Sequence, residues 1–187
     1  SRGLGDVYKR QGYKNTGCHS SLHPSSSAWS SDGWRNTASA KDCGILLEKI
    51  YRGQCVSQQY SREMLNLLLH QTKRYKIPSG LPTGIVCANK TGETSSVQHD
   101  MAIVYGKKTN YVLCIFSEGA SEDHLLYGIR SISSRVYQYL NKKDQPAVIG
   151  SRNFLNWAKI RVIIDVLADF VLSKKWLWKN FLHKRFS

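Results

Sequence analysis

Leu81-Pro82-Thr83-Gly84-Ile85-Val86-Cys87-Ala88-Asn89-Lys90-Thr91-Gly92-Glu93 is the stretch on which the fold turns. Its Leu-Pro-x-Gly opening reads as a turn, Ile85 to Ala88 as a short apolar strand, and Lys90-Thr91-Gly92 as the end of that strand. Two further apolar runs follow, Met101 to Tyr105 and Tyr111 to Phe116. The turn-like Gly106-Lys107-Lys108-Thr109-Asn110 joins them, which predicts an antiparallel hairpin. Ser121-Glu122-Asp123 then opens a helix with acid in its first turn, where it suits the helix dipole. Leu125, Ile129, Ile132, Val136 and Leu140 form its buried stripe, and Lys142 and Lys143 close it.

Upstream of the quoted stretch the period is helical. Ser39-Ala40-Lys41-Asp42 has the form of a capping box. Cys43, Leu46, Leu47 and Ile50 recur behind it, and Gly53 stops the helix. A second helix is expected from about Ser61 to Arg74, burying Met64, Leu65, Leu68 and Leu69, its boundary set before Pro78. Residues 12–38, rich in Ser, Gly, Asn and Trp and without a period, read as a long ordered loop. Helices, then about three strands, then a helix predict an α+β fold with helices packed on an antiparallel sheet.

The chain has 187 residues, enough for one domain with its own core. No apolar run of about eighteen residues exists, so no membrane-spanning helix is expected, and no secretory leader is visible. Asp6-Val7-Tyr8-Lys9-Arg10-Gln11 resembles a translated sequencing-library adapter, so residues 1–11 are set aside as a scar. Net charge is +14. Of this, residues 151–187 hold eight Lys/Arg against Asp165 and Asp169, 8 − 2 = +6. Such a balance suits phosphate backbones, anionic lipid or anionic wall polymers, and equally a solvated surface.

Residues 146–187 read as a separate tail. Val162 to Leu172 is apolar apart from Asp165 and Asp169, which share a helical face. Trp176, Trp178, Phe181 and Phe186 are interleaved with Lys and Arg. Residues 146–187 are read as a basic aromatic helical tail: a helix on a membrane surface, touching it through residues 154–187, a helix packed on the domain, or read-through. Five cysteines (Cys18, Cys43, Cys55, Cys87, Cys114) contain no Cys-x-x-Cys pair and are odd in number, so neither a disulfide framework nor a zinc site is suggested. Cys43, Cys87 and Cys114 sit inside apolar patterns and read as small buried hydrophobes. The six His and five Cys lack metal-ligand spacing, which disfavours a metal-dependent hydrolase.

A Lys-Thr-Gly tripeptide at the end of an apolar strand, after Leu-Pro-x-Gly and before a hairpin, resembles the third active-site motif of class A β-lactamases and penicillin-binding proteins. The resemblance covers about residues 12–141. It implies a partial β-lactamase/transpeptidase-like fold, with residues 12–145 its C-terminal part and the N-terminal part missing. It further implies that the Lys90 ammonium and the Thr91 hydroxyl hold a substrate carboxylate, that Gly92 leaves the strand edge open, and that the Glu93 backbone N–H joins the oxyanion hole. No cofactor is implied. Asn36 to Asp42 with Leu46 to Tyr51 resembles the helix after the family's omega-shaped loop.

By that count His23-Pro24 stands where class A enzymes carry Glu-Pro, and Ser25-Ser26-Ser27 replaces the rest of the loop signature. His23 is then either a general base near neutral pH or a loop histidine with no chemical role. No Ser is followed three residues later by Lys, so the family's nucleophile is not in this chain. Ser31-Asp32-Gly33 falls on the wrong side of His23-Pro24 to be the Ser-Asp-Asn motif and reads as a turn. Three readings follow: a serine β-lactamase fragment, itself inactive; a D-alanyl-D-alanine peptidase on the same fold; or a non-enzymatic module binding membranes or nucleic acid through the tail. The resemblance implies a β-lactam or D-Ala-D-Ala peptide as substrate, no nucleic-acid partner, and a parent protein that is secreted, periplasmic or attached to a bacterial envelope.

Overall fold

The computed structural model describes residues 12–17 and 37–141, together with the backbone of a strand at 161–168. Residues 1–11, residues 18–36 with Cys18 and His23, and the rest of the tail lie outside the described residues.

The first helix, α1 (Ala40–Tyr51), begins where its capping sequence stands. Ser39 Oγ accepts from Asp42 N at 3.1 Å. Only this half of the capping box is made locally. The Asp42 carboxylate, nearly buried, accepts instead from Asn15 N at 2.7 Å and Thr16 Oγ1 at 2.9 Å. Two backbone bonds, at 3.0 and 2.9 Å, join Gly17 to Thr37 as an antiparallel bridge. The helix ends in a Schellman arrangement: Gly53 N reaches Ile50 O, Gln54 N reaches Lys49 O, and Gly53 takes the positive φ (72°) that the motif needs.

The second helix, α2 (Gln58–Leu69), is shifted from its expected place. Its cap is Ser57, whose Oγ accepts from Tyr60 N at 3.1 Å. Ser61 lies buried inside the first turn, bonded back to Ser57 O and Cys55 O. The C-terminal end comes at Leu69 rather than Arg74, because the next residues are drawn to the sheet: Arg74 Nη1 donates to Cys87 O at 2.7 Å, and Asn89 Nδ2 to Lys73 O at 3.2 Å. Met64, Leu65 and Leu68 are partly buried as expected, whereas Leu69 is exposed.

The sheet is antiparallel throughout: β1 (Val86–Glu93), β2 (Val97–Tyr105), β3 (Tyr111–Glu118) and β4 (Arg161–Ala168), side by side in that order. Strand β1 runs on through Lys90-Thr91-Gly92, so the tripeptide lies within a strand. Alternation along each strand gives the sheet two apolar faces. On one, Cys87, Ala102, Val104, Leu113 and Ile115 meet Ile129 and Val136 of α3 (Glu122–Asn141). On the other, Ala88, Ile103, Val112 and Cys114 meet Leu47 and Ile50 of α1. Cys87 and Cys114 are buried and Cys43 partly so.

The helical reading of the tail does not hold over residues 161–168, which pair as β4 with β3 in the register Leu113↔Val166 and Ile115↔Ile164. Val162, Ile163, Ile164 and Val166 are β-branched and suit a pleated surface. Beside them the edge of β3 offers a row of N–H and C=O groups that a ladder satisfies. The sheet therefore has four strands where about three were expected.

A short 3-10 turn, Ile77–Gly80, is pressed between α3 and the sheet. Ser133 Oγ donates to Ile77 O at 2.8 Å, and Arg130 Nε to Tyr75 O at 2.7 Å. A Cβ added at Gly80 would stand 2.8 Å from Ser133 Cβ and collide with the Arg130 carbonyl oxygen. Gly80→Ala should therefore destabilise the chain by about 1–3 kcal/mol in urea denaturation; a change within experimental error would show that α3 does not press on this turn. Asp42→Ala leaves the Asn15 N–H and the Thr16 hydroxyl without their acceptor, so an equilibrium loss of about 1–3 kcal/mol is expected. An unchanged denaturation midpoint would show that this carboxylate does not tie Asn15 and Thr16 to α1.

Candidate active site

Lys90, Thr91, Gly92 and Glu93 are consecutive on β1, at the edge of the described sheet. Lys90 is exposed on the face shared with Ala88, and Thr91 is 6% exposed on the opposite one. What the two side chains share is thus the strand edge rather than a face. The Lys90 ammonium is turned back onto the Thr91 carbonyl. His23 lies outside the described residues, so its place relative to this strand is not part of the site geometry.

The register decides which backbone groups the edge offers. Thr94 N donates to Val97 O at 3.1 Å across the two-residue turn Ser95-Ser96. Pairs alternate between bonded and non-bonded along an antiparallel ladder. Thr94↔Val97 is bonded, so Glu93↔Gln98 is not, Gly92↔His99 is, and Thr91↔Asp100 is not. Glu93 and Thr91 therefore direct their N–H groups away from β2. Cys87 belongs to the same alternate set, and its carbonyl is indeed met from outside by Arg74.

Behind this edge lies a buried polar cluster that the sequence reading did not find. Lys76 is 0% exposed. Its Nζ donates to Gly92 O at 3.2 Å, His99 O at 3.1 Å and Glu93 Oε2 at 2.7 Å. Glu93 also receives Tyr75 Oη at 2.9 Å and the Lys73 ammonium. Asp100, equally buried, accepts from Ile77 N at 2.9 Å and Asn89 Nδ2 at 3.1 Å. On the opposite face His99 stacks on Phe116, ring centroids 4.5 Å apart, and accepts from Ser117 N at Nδ1. Among the described residues no His/Cys/Asp/Glu group could hold a metal ion. The one sequence signal for the cluster was the basic run Lys73-Arg74-Tyr75-Lys76 ahead of the strand, and nothing in its spacing tells a surface run from a buried one.

The cluster separates two carboxyls. Hydrogen bonds from Lys73 first, then Lys76 and Tyr75, hold Glu93 down to about 2, whereas burial pushes Asp100 up to about 6. Burial likewise pushes the Cys87 thiol up to about 12 and lowers His99. A carboxyl depressed on folding stabilises the fold above its unfolded value and loses that contribution as pH falls towards the folded one. For Glu93 the window runs from about 4.5 down to about 2. Glu93→Gln should accordingly flatten the pH dependence of denaturation between these limits; an acid limb identical to the parent's would mean that this carboxyl is not held by its neighbours.

The fold is similar to that of solved beta-lactamases and of PBP-A. The structure of PBP-A superposes with a TM-score of 0.61 at 23% identity, over 74% of this chain and 51% of that one. The TLA-1 extended-spectrum beta-lactamase gives 0.64 at 21%, over 75% and 55%. A beta-lactamase from Sphaerobacter thermophilus gives 0.64 at 20%, over 74% and 53%. The chain spans about half the length of these structures. No curated protein matches it. A family profile described as Beta-lactamase enzyme family matches residues 2–140, which is well over half of the sequence. With the tripeptide on an edge strand and helices on both sheet faces, this chain belongs to the beta-lactamase enzyme family.

Proposed function

We propose that this chain carries the C-terminal part of a class A-like serine β-lactamase, holding the substrate-binding strand but not the nucleophile. The observation behind this reading is the Lys90–Glu93 edge, where an ammonium stands beside two N–H groups directed away from the sheet. An acyl donor with a carboxylate needs a cation for that carboxylate and N–H donors where the carbonyl oxygen gains charge. Lys90 serves the first need, and the Glu93 N–H serves the second. Thr91 and Gly92 complete the subsite, Thr91 by its hydroxyl and Gly92 by leaving the edge uncovered. Ring opening through an acyl-serine needs a serine with an adjacent base, and no Ser-x-x-Lys occurs in the 187 residues. The fragment binds without turnover. The parent protein meets its substrate outside the cytoplasm, at the bacterial envelope.

A D-alanyl-D-alanine peptidase is the second reading. It is favoured by His23 standing where a glutamate would activate the deacylating water, and by the likeness in fold to PBP-A, a variant of which was solved as an acyl-enzyme complex with penicillin G. Without that glutamate the parent would be acylated readily and released slowly. Titration of the 15N-labelled chain with benzylpenicillin should move the Lys90, Thr91, Gly92 and Glu93 amides. Lys90→Ala should weaken that response by about tenfold, as expected for one lost charge-assisted hydrogen bond. A fluorescent penicillin should leave no covalent label, and a chromogenic cephalosporin should not be hydrolysed. Shifts scattered over α3, with β1 silent, would remove the assignment.

A further inference from the structure

The Lys76 ammonium is the least expected group in the molecule: fully buried, on no apolar period, yet with three acceptors for its three protons. Those contacts leave it neither exposure nor a spare donor, so it is not a substrate cation. Its partners say what it does. Gly92 and His99 face each other across β1 and β2 in a hydrogen-bonded pair, and Lys76 donates to the carbonyls of both. Its third contact, Glu93 Oε2, fixes the next side chain along the strand.

The Gly92 carbonyl and the Glu93 N–H belong to one planar trans peptide and point in opposite directions. Holding the oxygen inward therefore holds the N–H outward. Such holding matters at this peptide because Gly92, having no Cβ, restricts its own backbone least. Nor does the fold crowd it, since a Cβ at Gly92 would come no nearer than 3.8 Å to His99.

We infer that Lys76 is a positioning residue: it locks the Gly92–Glu93 peptide from behind the sheet, so that the Glu93 N–H stays aimed at an acyl oxygen outside the strand edge. Its relevance to chemistry rests on the reading of that N–H as an oxyanion donor. The locking itself does not. Lys73 and Tyr75 act on the same carboxylate from the protein surface, and Lys76 alone also reaches the two carbonyls.

The test is NMR on the full chain. In the parent protein the Lys76 ammonium protons should be protected from exchange, and its 15Nζ should show scalar coupling across the hydrogen bond to the Gly92 carbonyl carbon. A rapidly exchanging, uncoupled ammonium overturns the inference without any variant. In Lys76→Met the order parameter of the Glu93 N–H should fall from about 0.85 to below about 0.6, while Leu113 and Ile115 stay rigid. Lys76→Arg should restore at least part of it. A Glu93 N–H equally ordered in Lys76→Met would overturn the lock. If Lys76→Met proves unfolded by the Leu113 and Ile115 amides, the coupling measured in the parent decides. Loss of Glu93 order in Lys76→Met, where the unsubstituted chain shows no benzylpenicillin response, would uphold the lock and refute the acyl-substrate reading; a benzylpenicillin response undiminished in an ordered Lys76→Met would do the reverse.

Discussion

Every second residue of an edge strand in an antiparallel sheet turns its N–H and C=O away from its neighbour, and those groups must find a partner or face solvent. In β1 this constraint is shared out along the strand. At Cys87 the outward carbonyl is taken by Arg74. At Thr91 and Glu93 the outward N–H groups are the ones set beside Lys90. Which residues turn these groups outward depends on the turn Ser95-Ser96 and its Thr94–Val97 bond. A shift of one residue there would turn Gly92 outward in place of Glu93, and would carry every side chain of the strand to the other face.

Beneath the edge the sheet is not apolar. Asn89, Thr91, Gln98 and Asp100 are buried at the end of the face that packs on α3, and Lys76 reaches in among them. A buried polar group is tolerable only when bonded; Asp100 and Lys76 meet that demand, whereas Gln98 Oε1 is buried without a hydrogen-bond partner among the described residues. Asp100 receives a backbone and a side-chain donor, and Lys76 finds three acceptors. Such clusters stabilise less than an apolar core of the same volume, but removing one member leaves the others buried and alone. The segment 73–76 is held to β1 and β2 by these contacts, and Ile77 by burial in the apolar core as well, which ties the wall behind the tripeptide to the tripeptide itself.

Much of the architecture was legible in the chain. The stripe Leu125, Ile129, Val136 made α3 plain, and Leu47 with Ile50 and Gly53 placed both the face and the end of α1. The tripeptide in its turn–strand context points to the family from sequence alone. Other features escaped for identifiable reasons. The start of β2 was missed because Gln98 and Asp100 are polar and buried, which inverts the pattern by which strands are recognised. The end of α2 was placed late because Thr72, Lys73 and Arg74 have no helix-breaking feature; contacts to Cys87 and Asn89 draw them out. Strand β4 was read as helix because Asp165 and Asp169 are four residues apart in the sequence, whereas residues 161–168, β-branched at Val162, Ile163, Ile164 and Val166, pair along β3.

Hydrophobic period, caps and glycine stops act within a few residues of one another, so the amino-acid sequence by itself determined the helices, the hairpin strands and the position of Lys90-Thr91-Gly92 at the close of an apolar run. Only the tertiary structure decided that Lys76 is buried, that Glu93 turns its side chain inward and its N–H outward, and that Asp100 belongs beneath the strand edge. Those outcomes depend on groups 16 to 23 positions apart meeting at hydrogen-bond distance. A charged side chain carries no local mark of whether a distant partner will meet it in the interior or leave it to solvent.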